Sequence, residues 1–279
     1  MGKGKLYLCG TPIGNLEDIS YRVLRILKSV SIIYAEDTRN TIKLLNYFEI
    51  KNKLKSYHKF NEKKAGEEIV TKLLNGDEIA LVTDAGMPGI SDPGSYLVNL
   101  LIENDLDFEV ISGPTAFVLA LIQSGFDTEK FSFEGFLDRK KSKCEQRLEK
   151  IKNEDRTLIF YESPHRIKKT LVYMKNVLGN RNVSISREIT KKFEEVVRFT
   201  LEEGIEYFNN NNPRGEYVIV VEGNQYSEII NYDISIKEHI IEIMKSGKTK
   251  KEAVKEVAKL RKLDKNDVYK ESFDLNVKI

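Results

Sequence analysis

The sequence predicts an α/β protein, two α/β domains with a small basic helical appendix. Three observations lead there. Short β-rich apolar runs alternate with amphipathic stretches from residue 6 to residue 221, the pattern of helix-covered sheets. Three loops that follow strands in the first half are rich in Gly and Pro. Beyond residue 235 the strand-like runs stop and helical periodicity takes over at Ala253, Val254, Val257, Ala258 and Leu260.

Residues 6–9 form the first apolar run, closed by Gly10-Thr11-Pro12-Ile13-Gly14-Asn15. Ser20 precedes a helical pattern with Val23, Ile26, Leu27 and Val30 on one face. Residues 32–35 read as a second buried strand, ending at the acidic pair Glu36-Asp37. The amphipathic stretch 64–75 gathers Ile69, Val70, Leu73 and Leu74 and stops at Gly76, which suits the position after a helix cap. Residues 79–83 are a further strand and run into a loop, 84–94, carrying Gly86, Gly89 and Gly94. A helix over 95–103 and a strand over 108–111 lead to Ser112-Gly113-Pro114-Thr115-Ala116. A helix is expected over 115–124, since a first-turn proline is tolerated at Pro114. Residues 130–136 read as the last strand of the first half.

The stretch 138–156, with eight basic and five acidic residues, reads as a solvated helix plus linker. The second half restarts with a strand at 157–161 and a helix over 167–178 ended by Gly179. Strands follow near 183–185 and 217–221, and 198–201 adds another. The expected organisation is therefore a domain over 1–137, a basic linker over 138–156, a domain over 157–230 and a basic helical segment over 235–279.

Composition narrows the classes. The chain has 279 residues, 45 Lys and Arg against 43 Asp and Glu, and 41% hydrophobic residues, which fits a globular rather than a disordered chain. Two cysteines, Cys9 and Cys144, rule out a disulfide framework and suggest a reducing, cytoplasmic setting. Three histidines, His58, His165 and His239, leave little for zinc, so no metal is expected. No apolar run approaches the roughly 18 residues of a membrane span, and the start lacks a signal-peptide apolar region.

Ligands of open α/β sheets gather outside the carboxyl ends of strands. The first loop is not a dinucleotide fingerprint, because its glycines stand at 10 and 14 and Pro12 removes an amide. Asp37 nevertheless lies near the spacing of a ribose-binding carboxylate, which leaves a nucleotide-dependent oxidoreductase as an alternative. There is no Walker A motif and no G-x-S-x-G context. Charged clusters follow three strands: Glu36-Asp37-Thr38-Arg39, Glu162-Ser163-Pro164-His165-Arg166 and Arg187-Glu188-Ile189-Thr190-Lys191. Helix capping and surface pairing explain such groups in the plainest reading. Together they also suit a cleft holding a polyanion and a cationic cofactor.

Eight segments in this order resemble the small-subunit ribosomal RNA methyltransferases of the tetrapyrrole methylase superfamily. They are 6–20 (LYLCGTPIGNLEDIS), 35–41 (AEDTRNT), 81–97 (LVTDAGMPGISDPGSYL), 112–116, 133–137 (FEGFL), 157–167 (TLIFYESPHRI), 187–191 (REITK) and 215–223 (GEYVIVVEG). The resemblance covers about residues 5–225, and the tail is similar to a helix-turn-helix segment. It implies two αβα domains of the tetrapyrrole methylase type with S-adenosylmethionine (S-adenosyl-L-methionine) between them. It further implies a homodimer and 2′-O-methylation of cytidine 1402 in 16S ribosomal RNA, within the small ribosomal subunit or its assembly intermediate. A small-molecule methyltransferase of the same fold, acting on tetrapyrroles, is the alternative.

On that resemblance the expected cofactor residues are Pro12, Asp84, Gly86, Met87, Ser91, Ser112, Thr115, Ala116, Tyr161 and Glu162. The expected catalytic residues, which order ribose and phosphate, are Glu36, Asp37, Arg39, Arg187, Glu188 and Lys191; which of them is a base stays open. RNA contact is expected from local basic patches, 138–156 and the tail, where twelve Lys and Arg face eight Asp and Glu. His58, Lys59, Asn61 and Glu62 are further candidates to face substrate, with helix capping as the alternative for Asn61.

Overall fold

The computed structural model describes residues 2–225, 234–261 and 263–273. The expected ranges reach residues 1, 226–230, 262 and 274–279, which lie outside the described residues. The chain divides into compact units Met1–Asn224 and Gln225–Ile279.

The first sheet is built from β1 (Leu6–Cys9), α1 (Tyr21–Ser29), β2 (Ile32–Ala35), α2 (Thr38–Tyr47), β3 (Leu54–Ser56), α3 (Glu62–Leu74), β4 (Ile79–Val82), α4 (Ser95–Glu103) and β5 (Phe108–Ile111). Its strands are all parallel, in the order β3-β2-β4-β1-β5. Strand alternation divides the apolar residues between two faces. Leu6, Leu8, Tyr34, Ile79 and Leu81 meet Ile69 and Leu73 of α3 and Leu97 and Leu101 of α4. Cys9, Ile33, Ala35, Ala80 and Val82 meet Val23, Ile26 and Leu27 of α1 and Leu45 of α2. With both faces covered, β2 and β4 are buried at every position, as parallel strands usually are.

Local signals fix the helix ends. The Ser20 side chain accepts the Val23 N–H at the start of α1. The expected stop at Gly76 is present. Its φ is +92°, its N–H donates to Leu73 O at 3.0 Å, and Asp77 N–H donates to Lys72 O at 3.1 Å, the Schellman pattern. Asn61 stands at the start of α3 but does not cap it; its side chain accepts the His58 N–H at 2.8 Å and donates to Ser56 O.

The second sheet follows α5 (Ala116–Ser124) and contains β6 (Phe131–Phe136), α6 (Lys141–Ile151), β7 (Thr157–Glu162), α7 (Ile167–Leu178), β8 (Asn182–Arg187), β9 (Glu195–Thr200), α8 (Leu201–Asn210) and β10 (Tyr217–Val221). Its order is β6-β7-β10-β8-β9. Only β6 and β7 run parallel, and β10 is antiparallel to both neighbours. Residues 130–136 are therefore not the last strand of the first half: β6 is an edge of this second sheet. Parallel pairing with β7 needs a crossover, and the charged stretch after β6 supplies it as α6. That stretch is less solvated than expected, since Cys144, Leu148 and Ile151 are buried among Leu158, Phe160, Leu171 and Ile219. The opposite face of the sheet receives Ala120 and Leu121 of α5. Pro114 precedes the helix altogether, with Thr115 at its N-cap.

The second unit contains α9 (Ile236–Lys245), α10 (Lys250–Arg261) and α11 (Lys265–Lys270) around Ile240, Met244, Val254, Val257 and Val268. Ser235 and Glu238 form a capping box at α9. Among the described residues no helix is long and apolar enough to cross a membrane.

Candidate functional site

In the first sheet β1 and β4 are neighbours, yet the chain leaves them in opposite directions. From β1 it goes to β2 on one side, and from β4 to β5 on the other. A crevice opens where strand order reverses in this way. The loops after β1, β4 and β5 meet there. Thr11 and Gly86 exchange backbone hydrogen bonds of 2.9 and 3.0 Å, and the Thr11 hydroxyl donates to Thr83 O at 3.1 Å. Gly10 and Gly113 touch backbone to backbone; a Cβ on Gly10 would lie 2.7 Å from Gly113 Cα. These glycines thus serve loop-to-loop contact. Gly14 makes the link to the second sheet, since a Cβ there would strike Lys191 and Thr190. Asn15 N–H donates to Thr190 Oγ1 at 3.1 Å.

A cavity of about 490 Å³ lies between the two sets of strand ends. Asp84, Gly86, Met87 and Ser91 line it from the loop after β4, Thr115 and Ala116 from the start of α5, and Tyr161 and Glu162 from the end of β7. Glu36, Glu188 and Lys191 also line it. Pro12 does not. It borders a neighbouring cavity of about 290 Å³ with Asn40, Lys43 and Tyr47, which shares Asp84 with the first. Ser112 borders neither cavity.

Three expected catalytic residues are also placed elsewhere. The Asp37 carboxylate accepts the Arg39 N–H at 2.8 Å at the start of α2 and pairs with the Arg39 guanidinium at 2.6 Å. Arg187 borders a separate cavity of about 140 Å³, with Glu195 at 3.2 Å. Its side chain points to the face covered by α6, α7 and α8, because Ile185, two residues earlier in β8, is buried there.

Sequence reasoning missed Asp92, Phe136, Glu216 and Tyr217, which all line the larger cavity. Phe136 was assigned to the wrong sheet. Glu216 and Tyr217 stand at the beginning of β10, and a search behind strands passes over them. Because β10 is antiparallel to β7, Tyr217 lies opposite Glu162, so the start of one strand meets the end of the other.

The lining is acidic. Glu36, Asp84, Asp92, Glu162, Glu188 and Glu216 face it, against Lys191. Asp84 accepts the Asp37 N–H at 3.1 Å and the Asn40 amide at 3.0 Å. Burial, then the charge of Asp84, pushes the Glu36 carboxyl up. Burial, followed by the charges of Glu36, Asp84 and Glu216, pushes Asp92 up to about 7. Burial also tends to raise Glu188, but the Glu216 amide and the Lys191 ammonium outweigh it and hold the carboxyl below its usual range. Gly215 makes that possible, because a Cβ there would lie 2.5 Å from the Glu188 carboxylate oxygen. The Glu162 carboxylate accepts the Ser163 N–H at 2.8 Å and the Thr170 hydroxyl at 2.5 Å. Burial raises the Tyr161 phenol to about 12, and its oxygen accepts the Phe117 N–H at 3.3 Å. Chemically, this is a concave, acid-lined site suited to a ligand with positive charge.

A family model described as tetrapyrrole (corrin/porphyrin) methylases matches residues 5–204. The chain is 48% identical over 271 residues to "Ribosomal RNA small subunit methyltransferase I" of Halalkalibacterium halodurans, covering 96% of this chain and 94% of that protein. It is 43% identical to the Bacillus subtilis protein of the same name, covering 95% and 93%. Among solved structures it resembles a uroporphyrin-III C-methyltransferase from Thermus thermophilus complexed with S-adenyl homocysteine. The TM-score is 0.58 at 16% identity, over 78% of this chain and 97% of that one. A diphthine synthase gives 0.63 at 12% identity, over 79% and 90%. At these identities the structural likeness establishes the fold.

Proposed function

The chain belongs to the tetrapyrrole (corrin/porphyrin) methylase family, and we propose that it is an S-adenosylmethionine-dependent methyltransferase of small-subunit ribosomal RNA. The finer reading is 2′-O-methylation of the ribose of cytidine 1402 in 16S ribosomal RNA. The observation that carries the RNA reading is the 48% identity, across nearly the whole chain, to a protein bearing that name.

The cavity fits the donor. Its volume of about 490 Å³ is in the range of small-molecule sites, and its carboxylates complement a ligand carrying ammonium and sulfonium charges. S-adenosylmethionine, when bound, supplies an electrophilic methyl group on positively charged sulfur. Asp84, Gly86, Met87, Ser91, Thr115 and Ala116 would hold it from the first sheet, with Tyr161 and Glu162 closing from the second. The amides that open α5 suit its carboxylate. With a good leaving group present, alignment of the attacking oxygen is the main task. Lys191, held by Glu188 and Glu216, orders the RNA at the cavity. Asp37 acts by position, since its amide holds Asp84.

RNA is drawn beyond the cavity by two surfaces. Lys43 and the 65% exposed Tyr47 project from one helix beside the smaller cavity, a phosphate contact next to a stacking ring. Lys251, Lys255 and Lys259 are exposed at four-residue spacing along α10. The exposed Val118 and Ile122 of α5 support a homodimer.

Labelled methyl incorporation tests the reading. Small subunits from cells lacking the protein should be labelled at one ribose, in preference to free RNA and with no label in porphyrin precursors. Label in the porphyrin precursors alone would favour the small-molecule alternative.

A further inference from the structure

Six carboxylates line the cavity, and four of them are engaged. Asp84 is held by the Asp37 amide and Asn40. Glu162 is held by the Ser163 amide and Thr170. Glu188 takes the Glu216 amide at 3.0 Å and Lys191 at 3.1 Å, and Glu216 lies 3.6 Å from Lys191. Among the described residues Asp92 accepts no hydrogen bond, neither Asp92 nor Glu36 pairs with a Lys or Arg, and of the two only Asp92 stands on the loop that reaches the second sheet.

Backbone geometry sets it there. Gly94, at φ +151°, presses on Gly89 so closely that a Cβ would lie 2.8 Å from the Gly89 nitrogen. That contact pinches 89–94 into a narrow loop, with Ser91 held at φ +63°. The loop reaches the second sheet: the position of a Cβ on Gly135 is 3.6 Å from Ser91 Oγ. Gly135 belongs to the register shift of β6, a bulge of the kind that re-aims residues beside active sites.

We propose that Asp92 is the catalytic base, its carboxylate taking the proton of the ribose 2′-hydroxyl; this rests on the RNA-methylation reading above. The O–H bond breaks and its proton passes to Asp92 Oδ. The oxygen forms the new O–C bond as the donor C–S bond breaks, leaving its electron pair on sulfur. Asp92 then returns the proton to solvent. The groups facing Asp92 are Glu36 after β2, Asp84 after β4, Glu216 before β10 and the Tyr161 phenol of β7. Burial and the three carboxylates hold it near 7, so it is partly ionised at neutral pH and more basic than an ordinary aspartate.

The test is Asp92→Asn in the full-length protein, read three ways. Methyl transfer to small subunits should fall about 10²–10⁴-fold and lose the rise through pH 7 that the unsubstituted protein displays. Affinity for S-adenosylhomocysteine, by calorimetry, should stay within twofold. In the ligand-free protein the variant should melt above the unsubstituted one by a margin that grows from pH 5 to pH 8, because ionising a carboxyl with a raised pKa costs stability there. An unchanged rate, an unchanged pH limb or a pH-independent melting difference overturns the assignment. So does a tenfold loss of S-adenosylhomocysteine affinity with turnover intact, which makes Asp92 a donor ligand. If the unsubstituted protein labels porphyrin precursors and no RNA, the RNA reading itself fails and takes this assignment with it.

Discussion

Gly10→Ala places a methyl group where the loops after β1 and β5 touch. The new Cβ would lie 2.7 Å from Gly113 Cα and 2.9 Å from Gly113 N, against an ordinary carbon contact of about 3.5–4.0 Å. The Met87 sulfur, at 2.5 Å, can swing away, but the Gly113 backbone cannot. Gly10 N–H donates to Ile111 O at 3.2 Å, so parting the loops weakens that bond as well. Overpacking costs about 1–3 kcal/mol and the strained hydrogen bond about 1 kcal/mol more. At 2–4 °C per kcal/mol for a chain of this size, Tm should fall by about 5–15 °C. Gly125→Ala is the control. Gly125 has φ +77° with nothing within 4 Å of its Cβ position, so it carries only a left-handed backbone cost of about 1–2 kcal/mol. Thermal unfolding by circular dichroism, paired with S-adenosylhomocysteine titration, separates the two. Gly10→Ala should also lose at least tenfold in affinity, and Gly125→Ala should lose none. A Gly10→Ala protein melting within 2 °C of the unsubstituted one, with affinity unchanged, would refute the reasoning that these loops form one seam under the cavity.

Other perturbations reach other parts of the structure. Leu148→Ala, at a fully buried site of α6, should cost about 2–5 kcal/mol in denaturant titration, whereas a solvated linker would tolerate it. Asp84→Ala frees the Asp37 amide and Asn40 and removes a cavity charge, so calorimetry should record at least tenfold weaker S-adenosylhomocysteine binding. Asp37 is held down to about 2, mainly by the Arg39 side-chain hydrogen bond. Its contribution to stability is present above the unfolded value near 4 and is lost as pH falls through about 2, so the Tm gap between the unsubstituted protein and Asp37→Asn should close over that interval. Replacing Lys251, Lys255 and Lys259 by Ala should weaken RNA binding and lower the slope of log affinity against log salt by about 2–3, with S-adenosylhomocysteine affinity unchanged.

Much of the fold was legible because burial imposes pattern. β2 and β4 are apolar at every position since helices cover both faces, and Gly76 ends α3 through a conformation that glycine favours. The edge strand β6 was misassigned because membership of a sheet depends on pairing partners, which periodicity along one strand does not encode. Cys144, Leu148 and Ile151 hide in a stretch dominated by charge, because a helix needs only a narrow apolar stripe to dock. At the site, Gly-rich loops after parallel strands pointed to the loop 84–94 as a ligand site, and the family resemblance singled out Asp84, Gly86, Met87 and Ser91 within it. Tyr217 and Glu216 were invisible to the same rule, since antiparallel β10 brings its start to the cavity. Asp37, Arg39 and Arg187 look like site residues in a list of charges, but each finds its counter-charge nearby and turns to it.

The two-lobed site is tested most directly by a crystal structure of the protein soaked with S-adenosylhomocysteine. Density should fill the cavity between the sheets, touching the loop from Asp84 to Ser91, the start of α5, and Tyr161 from the other side. Density lying outside that cavity, or contacts made by one sheet alone, would contradict the proposed chemistry at its root.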